Sequence, residues 1–123
     1  TNLGVIHQIN VLDIPAGKFR DKGVPIDNLC NYDSTKEYII QVLDAESMIH
    51  SSLLFATAKS MLKVMDGELL NAAKRTVQAT KLSEDELIEV IPVDWTEESE
   101  DKVVLQTKEG ECIRCSWNEV IKR

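Results

Sequence analysis

No run of apolar residues approaches the ~20 that a membrane helix requires, and no charged-then-apolar targeting segment stands at the start. A membrane-spanning or secreted reading loses its support. Cysteine is equally scarce: Cys30, Cys112 and Cys115 are too few and odd in number for a secreted disulfide scaffold. A reducing, cytoplasmic setting is the expectation. Positive charge is short as well, because 14 Lys and Arg stand against 21 Asp and Glu for a net charge of -7, which argues on composition alone against a strong polyphosphate binder. No Ser-His-Asp set, catalytic carboxylate pair or Walker-type glycine loop can be assembled, so neither a catalytic residue nor a cofactor is expected in this segment.

What is present suits one soluble globular domain: 123 residues, 43% of them apolar and 28% charged. The chain opens on Thr1 and not Met, and reads as an excised piece. Local propensity is a poor guide to it. Leu53 to Arg75 is rich in Leu, Ala, Met and Lys and would be assigned to a helix in isolation. Self-comparison overrules that assignment.

Thr1-Asn2-Leu3-Gly4, Thr57-Ala58-Lys59-Ser60 and Thr107-Lys108-Glu109-Gly110 each lead into a mostly apolar run, as far as Ile9, Met65 and Cys115 respectively. Upstream, Leu53-Leu54-Phe55-Ala56 and Val103-Val104-Leu105-Gln106 feed the second and third copies. Downstream, 22–29 aligns with 75–82, and 37–42 with 86–91. Each unit therefore reads as an apolar run, a turn, a second run, a long loop, a third run, a polar turn and a fourth run. Val, Ile and Tyr in the fourth run and the Glu109-Gly110 corner favour strands, with a helical turn allowed at Leu69 to Lys74. A four-stranded unit of about 50 residues has the size of a propeller blade. The division is residues 1–50 as a partial blade, 51–94 as a complete blade and 95–123 as an acidic linker plus the opening hairpin of a third. Thr96 to Asp101 is that linker, read as a solvated loop.

The run Gly4-Val5-Ile6-His7-Gln8-Ile9-Asn10-Val11-Leu12-Asp13-Ile14-Pro15, followed by Lys22-Gly23-Val24-Pro25-Ile26-Asp27-Asn28-Leu29, resembles the C-terminal repeats of the A subunit of bacterial DNA gyrase and topoisomerase IV. The second repeat follows the pattern more loosely and the third through its first hairpin only. The resemblance implies an all-β fold, a β-pinwheel: a propeller-like array of four-stranded blades, about two and a half of them here, whose basic rim bends duplex DNA. It implies no chemistry in this segment, since strand cleavage belongs to another domain and ATP hydrolysis to the B subunit, so Tyr32 and Tyr38 are not read as nucleophiles. The partners it implies are double-stranded DNA without sequence preference, the remaining blades and catalytic core of the parent A subunit, and the B subunit only through that parent. The gyrase loop motif Gln-Arg-Arg-Gly-Gly-Lys-Gly is absent; its positional counterpart is Gly17-Lys18-Phe19-Arg20-Asp21-Lys22-Gly23, with Asp21 intruding. Gyrase and topoisomerase IV are not separated on this ground.

Wrapping a duplex needs cations at phosphate spacing and main chain that can approach closely. Lys18, Arg20 and Lys22, flanked by Gly17 and Gly23, meet that need, and Lys74 and Arg75 occupy the equivalent loop of the next unit. Lys59, Lys63, Lys108 and Arg114 on the hairpins extend the track. Against this, residues 1–50 carry 4 basic and 7 acidic groups, 51–94 carry 5 and 7, and 95–123 carry 5 and 7. Weak binding by this piece is the expectation, with an acidic protein-interaction propeller or a divergent, weakened repeat as the rival readings. Cys112 and Cys115 have Cys-x-x-Cys spacing, but residues three apart on a strand face opposite sides, so no metal site is expected with Cys30, His7 and His50 as the remaining donors. Glu84-Asp85-Glu86 reads as a solvated turn.

Overall fold

The computed structural model describes residues 1–94, 96 and 98–120. Among these residues seven strands and one short α-helix follow in order: β1 (Val5–His7), α1 (Ala45–Ile49), β2 (Ser52–Thr57), β3 (Leu62–Asp66), β4 (Thr76–Gln78), β5 (Leu87–Val93), β6 (Lys102–Gln106) and β7 (Cys112–Ser116). Every pairing is antiparallel, so the fold is all-β. Leu53 to Arg75 is not a helix: it contains most of β2, then β3, then a 3-10 turn at Gly67–Leu70 that begins two residues before the expected one.

One turn recurs three times. Ser60 N donates to Thr57 O at 3.0 Å and Thr57 N to Met61 O at 3.0 Å; Gly110 N donates to Thr107 O at 3.0 Å and Thr107 N to Glu111 O at 2.8 Å. Gly4 N likewise donates to Thr1 O at 3.0 Å, and the Thr1 amino group to Val5 O at 2.8 Å. The fourth residue must cross to positive φ to rejoin the ladder, and Gly4, Ser60 and Gly110 do so at 72°, 63° and 90°. Threonine at the first position has its own use. The Thr57 and Thr107 hydroxyls each accept from the amide four residues on, at 3.1 Å.

The four strands of the middle unit do not make one sheet. β3, β2 and β5 lie side by side, while β4 crosses to pair with β1 of the first unit, Ile6 opposite Val77. β6 and β7 form a third, two-stranded sheet. This exchange explains two departures from expectation. Residues 37–42 form no strand, because β5, their counterpart, pairs with a strand like β2, and the 123 residues hold none at that place in the first unit. Residues 22–29 give only a 3-10 turn at Ile26–Asn28, because β4, their counterpart, pairs with the second run of the unit before.

The middle sheet is the wall of the molecule. Leu53 and Phe55 on one face of β2 pack with Leu70, Ala79, Leu87 and Val90, and Ile6 and Ile40 of the first unit close over them. Leu54, one residue out of phase, faces the other way with Val64, Trp117 and Val120, joined by Val103 of the third unit. Burial on both faces is why this strand reads as an unbroken apolar run and not an alternating one. α1 and the Gly67–Leu70 turn pack on each other at one end.

Candidate nucleic-acid interface

The first loop, running from the end of β1 to Tyr32, carries Lys18, Arg20 and Lys22, all exposed. Its tip is a turn held by the residue that seemed an intruder: Asp21 N donates to Lys18 O at 2.9 Å, and Asp21 Oδ2 accepts from Lys18 N at 2.7 Å. Asp21 thus fixes the spacing of the cations around it, while bringing a carboxylate among them. Phe19, between two of them, is fully exposed. The sequence reading missed it, although an aromatic flanked by two cations in a loop was a visible signal.

Lys74 and Arg75 are also exposed and lead directly into β4. Because β4 pairs with β1, the two loops spring from one edge. Gln8 N donates to Arg75 O at 2.7 Å and Gln8 Nε2 to Ala72 O at 2.9 Å, while Asn31 Nδ2 reaches Thr76 Oγ1 at 3.5 Å. Both ends of the first loop are therefore pinned beside the base of the second. The other candidates lie elsewhere. Lys63 turns inward, its Nζ 3.5 Å from Thr80 Oγ1 and 5.6 Å from the centre of the Phe55 ring. Lys108 and Arg114 are exposed on the third sheet, in its turn and on β7 respectively.

Among the described residues the Lys or Arg ion pair is Lys36 with Asp33, at 3.5 Å, so none of Lys18, Arg20, Lys22, Lys74, Arg75, Lys108 and Arg114 is neutralised by a salt bridge there. A groove of about 750 Å³ between the middle hairpin and the third unit gathers Lys59, Lys63 and Lys81, the last not singled out from sequence, but sets Glu84, Asp85 and Glu119 among them. It is mixed in sign and offers no cationic track.

Two acidic features hold the frame. Glu37, in the first unit, accepts from Asp33 N at 3.1 Å and lies 2.9 Å from His7 Nε2 through the same Oε1, with both side chains buried. The Tyr32 ring stands edge-on to His7, and its hydroxyl donates to Glu37 O at 3.1 Å. Burial pushes the Glu37 carboxyl up, but the neighbouring Thr1 and hydrogen bonds with the Asp33 amide and His7 more than offset it, leaving the group below its ordinary 4.5. The turn at Glu84-Asp85-Glu86 is likewise more than solvated acid. Asp85 Oδ1 accepts from Lys59 N at 3.0 Å and Glu86 N at 2.8 Å, fastening the Thr57–Ser60 turn, and Glu86 Oε2 accepts from Asn2 Nδ2 and Tyr38 OH. The Thr57 side chain, against opposing burial and with help from those two amides and the Lys59 charge, holds Asp85 below its ordinary 3.8.

Cys112 and Cys115 do not converge: Cys115 Sγ contacts Val103 O at 3.6 Å and Cys112 Sγ contacts Gly110 O at 3.8 Å. Among the described residues no cluster of three metal-ligating side chains occurs, and no helix is long and apolar enough to cross a membrane.

Fold and surface together define a repeat-built, all-β segment in which five exposed cations, Lys18, Arg20, Lys22, Lys74 and Arg75, sit in two loops at one sheet edge. Along 98% of its length the chain is 34% identical to the A subunit of DNA gyrase from Lawsonia intracellularis (strain PHE/MN1-00), and it spans 14% of that protein. The likeness to a gyrase A subunit thus extends over the whole array of repeats. No family model and no solved structure matches the chain.

Proposed function

We propose that this chain is a non-catalytic DNA-binding and DNA-bending fragment of a type IIA topoisomerase A subunit, from a C-terminal pinwheel that presents duplex DNA for strand passage. The observation that carries the reading is the shared edge: Lys18, Arg20 and Lys22 in one loop and Lys74 and Arg75 in the next, pinned base to base and free of ion pairs among the described residues. Similarity to a gyrase A subunit supports the same assignment. Binding would rest on phosphate contacts, with Lys108 and Arg114 as outlying contributors and sequence unread. The parent is then a cytoplasmic, nucleoid-associated isomerase that works with an ATP-hydrolysing B subunit.

Fluorescence anisotropy with a short duplex tests this. Affinity is expected to fall as salt rises, with a log-log slope of about -0.9 for each phosphate neutralised. Replacing Lys18, Arg20 and Lys22 together by Ala should weaken binding equally for unrelated sequences and reduce that slope by about 2 to 3. A salt-independent or absent response removes the DNA reading. The net charge of -7 favours one alternative, an acidic surface meeting a basic protein partner, for which those three substitutions would change nothing.

A further inference from the structure

The tip of the first loop carries an aromatic ring that the fold leaves in water. We propose that Phe19 is a wedge for the duplex: its ring enters between two neighbouring base pairs, unstacks them in part and sets the place of the bend. This rests on the DNA-binding reading above and adds to it a contact with the bases, where the cations meet only phosphates.

That tip is a four-residue turn, Lys18 to Asp21, closed by the bond from Asp21 N to Lys18 O and braced by Asp21 Oδ2 accepting from Lys18 N. Phe19 and Arg20 are its two central residues, at the apex of the turn. Gly17 lies close beneath the brace, since a Cβ there would stand 3.2 Å from Asp21 Oδ2. The ring is thus carried on a fastened support. Of the two phenylalanines, Phe55 is buried in the wall and Phe19 is fully exposed, so the fold gives Phe19 none of the gain of burial that it gives Phe55.

The repeat assigns this ring no neighbour. The middle unit meets other elements through the Gly67–Leu70 turn, which packs on α1, and through β4, which pairs with β1. Their counterparts in the first unit are 11–14 and 23–25, so the exposed side chains of Val11, Leu12, Ile14 and Val24 stand where the pattern requires packing. Phe19 stands outside both stretches. Twelve residues lie between Ile9 and Lys22 against nine between Met65 and Arg75, and the excess of three falls within 15–21, around the ring. Its flanks suit a duplex. Lys18 and Arg20 lie on either side and Lys22 beyond, all exposed and without a salt bridge among the described residues. Cations that grip the phosphates on both sides of a base step hold an apolar ring over the stack between them, whereas an apolar pocket in a protein partner would have no use for the flanking charges.

A short duplex with 2-aminopurine in place of the adenine of a central TA step, a step that kinks readily, provides the test when the 123-residue chain is added at low salt. Emission should rise several-fold on binding as that step unstacks, and energy transfer between dyes at the duplex ends should increase as it bends. Phe19→Ala should abolish the rise in emission, reduce the bend and weaken binding about tenfold, while the dependence on salt keeps its slope because no phosphate contact is lost. Phe19→Leu, still an apolar wedge, should keep most of the response. A central mismatched pair, which costs less to unstack, should be bound several-fold more tightly than the matched duplex by the unsubstituted chain, and equally by Phe19→Ala. Salt-dependent binding without a rise in emission, or a Phe19→Ala variant that unstacks the step like its parent, would overturn the wedge alone and leave the ring to a protein partner. Absence of salt-dependent binding by the unsubstituted chain would remove the DNA reading and the wedge together.

Discussion

At the scale of single residues, the three turns form an internal experiment, since the same backbone twist is filled by Gly4, Ser60 and Gly110. A side chain at positive φ costs about 1 to 2 kcal/mol, and glycine returns part of that as unfolded-state entropy. Ser60→Gly is therefore expected to stabilise the protein by about 0.5 kcal/mol in a chemical denaturation series. Gly110→Ala meets open space and should cost only about 1 kcal/mol. Gly4→Ala adds a Cβ 2.6 Å from Thr80 O, a backbone atom, and should cost about 3 kcal/mol or more. Equal losses at the two glycines would mean that the first unit does not pack against 80–82 as described. In the same way Leu53→Ala, deep in the wall, should cost about 2 to 5 kcal/mol, while exposed Ile113→Ala should cost under about 0.5.

At the scale of elements, the sequence carried the turns and hairpins because their signals are local: a threonine, a glycine or serine three residues on, and apolar runs on both sides. Strand exchange was not legible. Nothing in 75–82 says that its partner belongs to the unit before it, so counting four runs per unit suggested self-contained blades where β4 in fact serves β1. α1 left a signal that went unread, Asp44, whose Oδ1 accepts from Ser47 N at 2.8 Å as an N-cap. Of the candidate site, the loop cations were readable as a cluster, but the role of Asp21 was not, because a turn-holding acid and an intruding one look identical in sequence. The inward turn of Lys63 depends on Phe55 and Thr80, which only the fold brings near it. The Glu37 and Asp85 anchors give this scale its pH prediction. Both carboxyls titrate below their ordinary values, so the stability they add is complete above that range and is lost as pH falls through the lowered values. Melting temperature should hold steady from neutral pH down to about 5 and then drop with further acid, and Glu37→Gln should lower the neutral value while flattening the acid limb.

At the scale of the whole molecule, a chain of net charge -7 can still present a basic edge, because screening over about 8 Å at physiological salt lets each surface act by its own charges. The acids that hold the frame are largely used up internally: Glu37 is buried, Asp85 fastens a turn and Glu86 ties two units. The edge that bears the first and second loops also carries Asp21, so its field is modest, and binding at low salt should exceed that at physiological salt by a large factor.

The double covering of β2 has a further consequence, for the order in which the structure comes apart. Its middle strand can shed its hydrogen bonds only when the layers on either side have both lifted, whereas the flanking two-stranded sheets can open one at a time. In deuterium labelling followed by mass spectrometry, the slowest uptake should fall on Leu53, Leu54 and Phe55. Uptake at β1 and β7 should run ahead of it, and the protein should loosen from its ends inward.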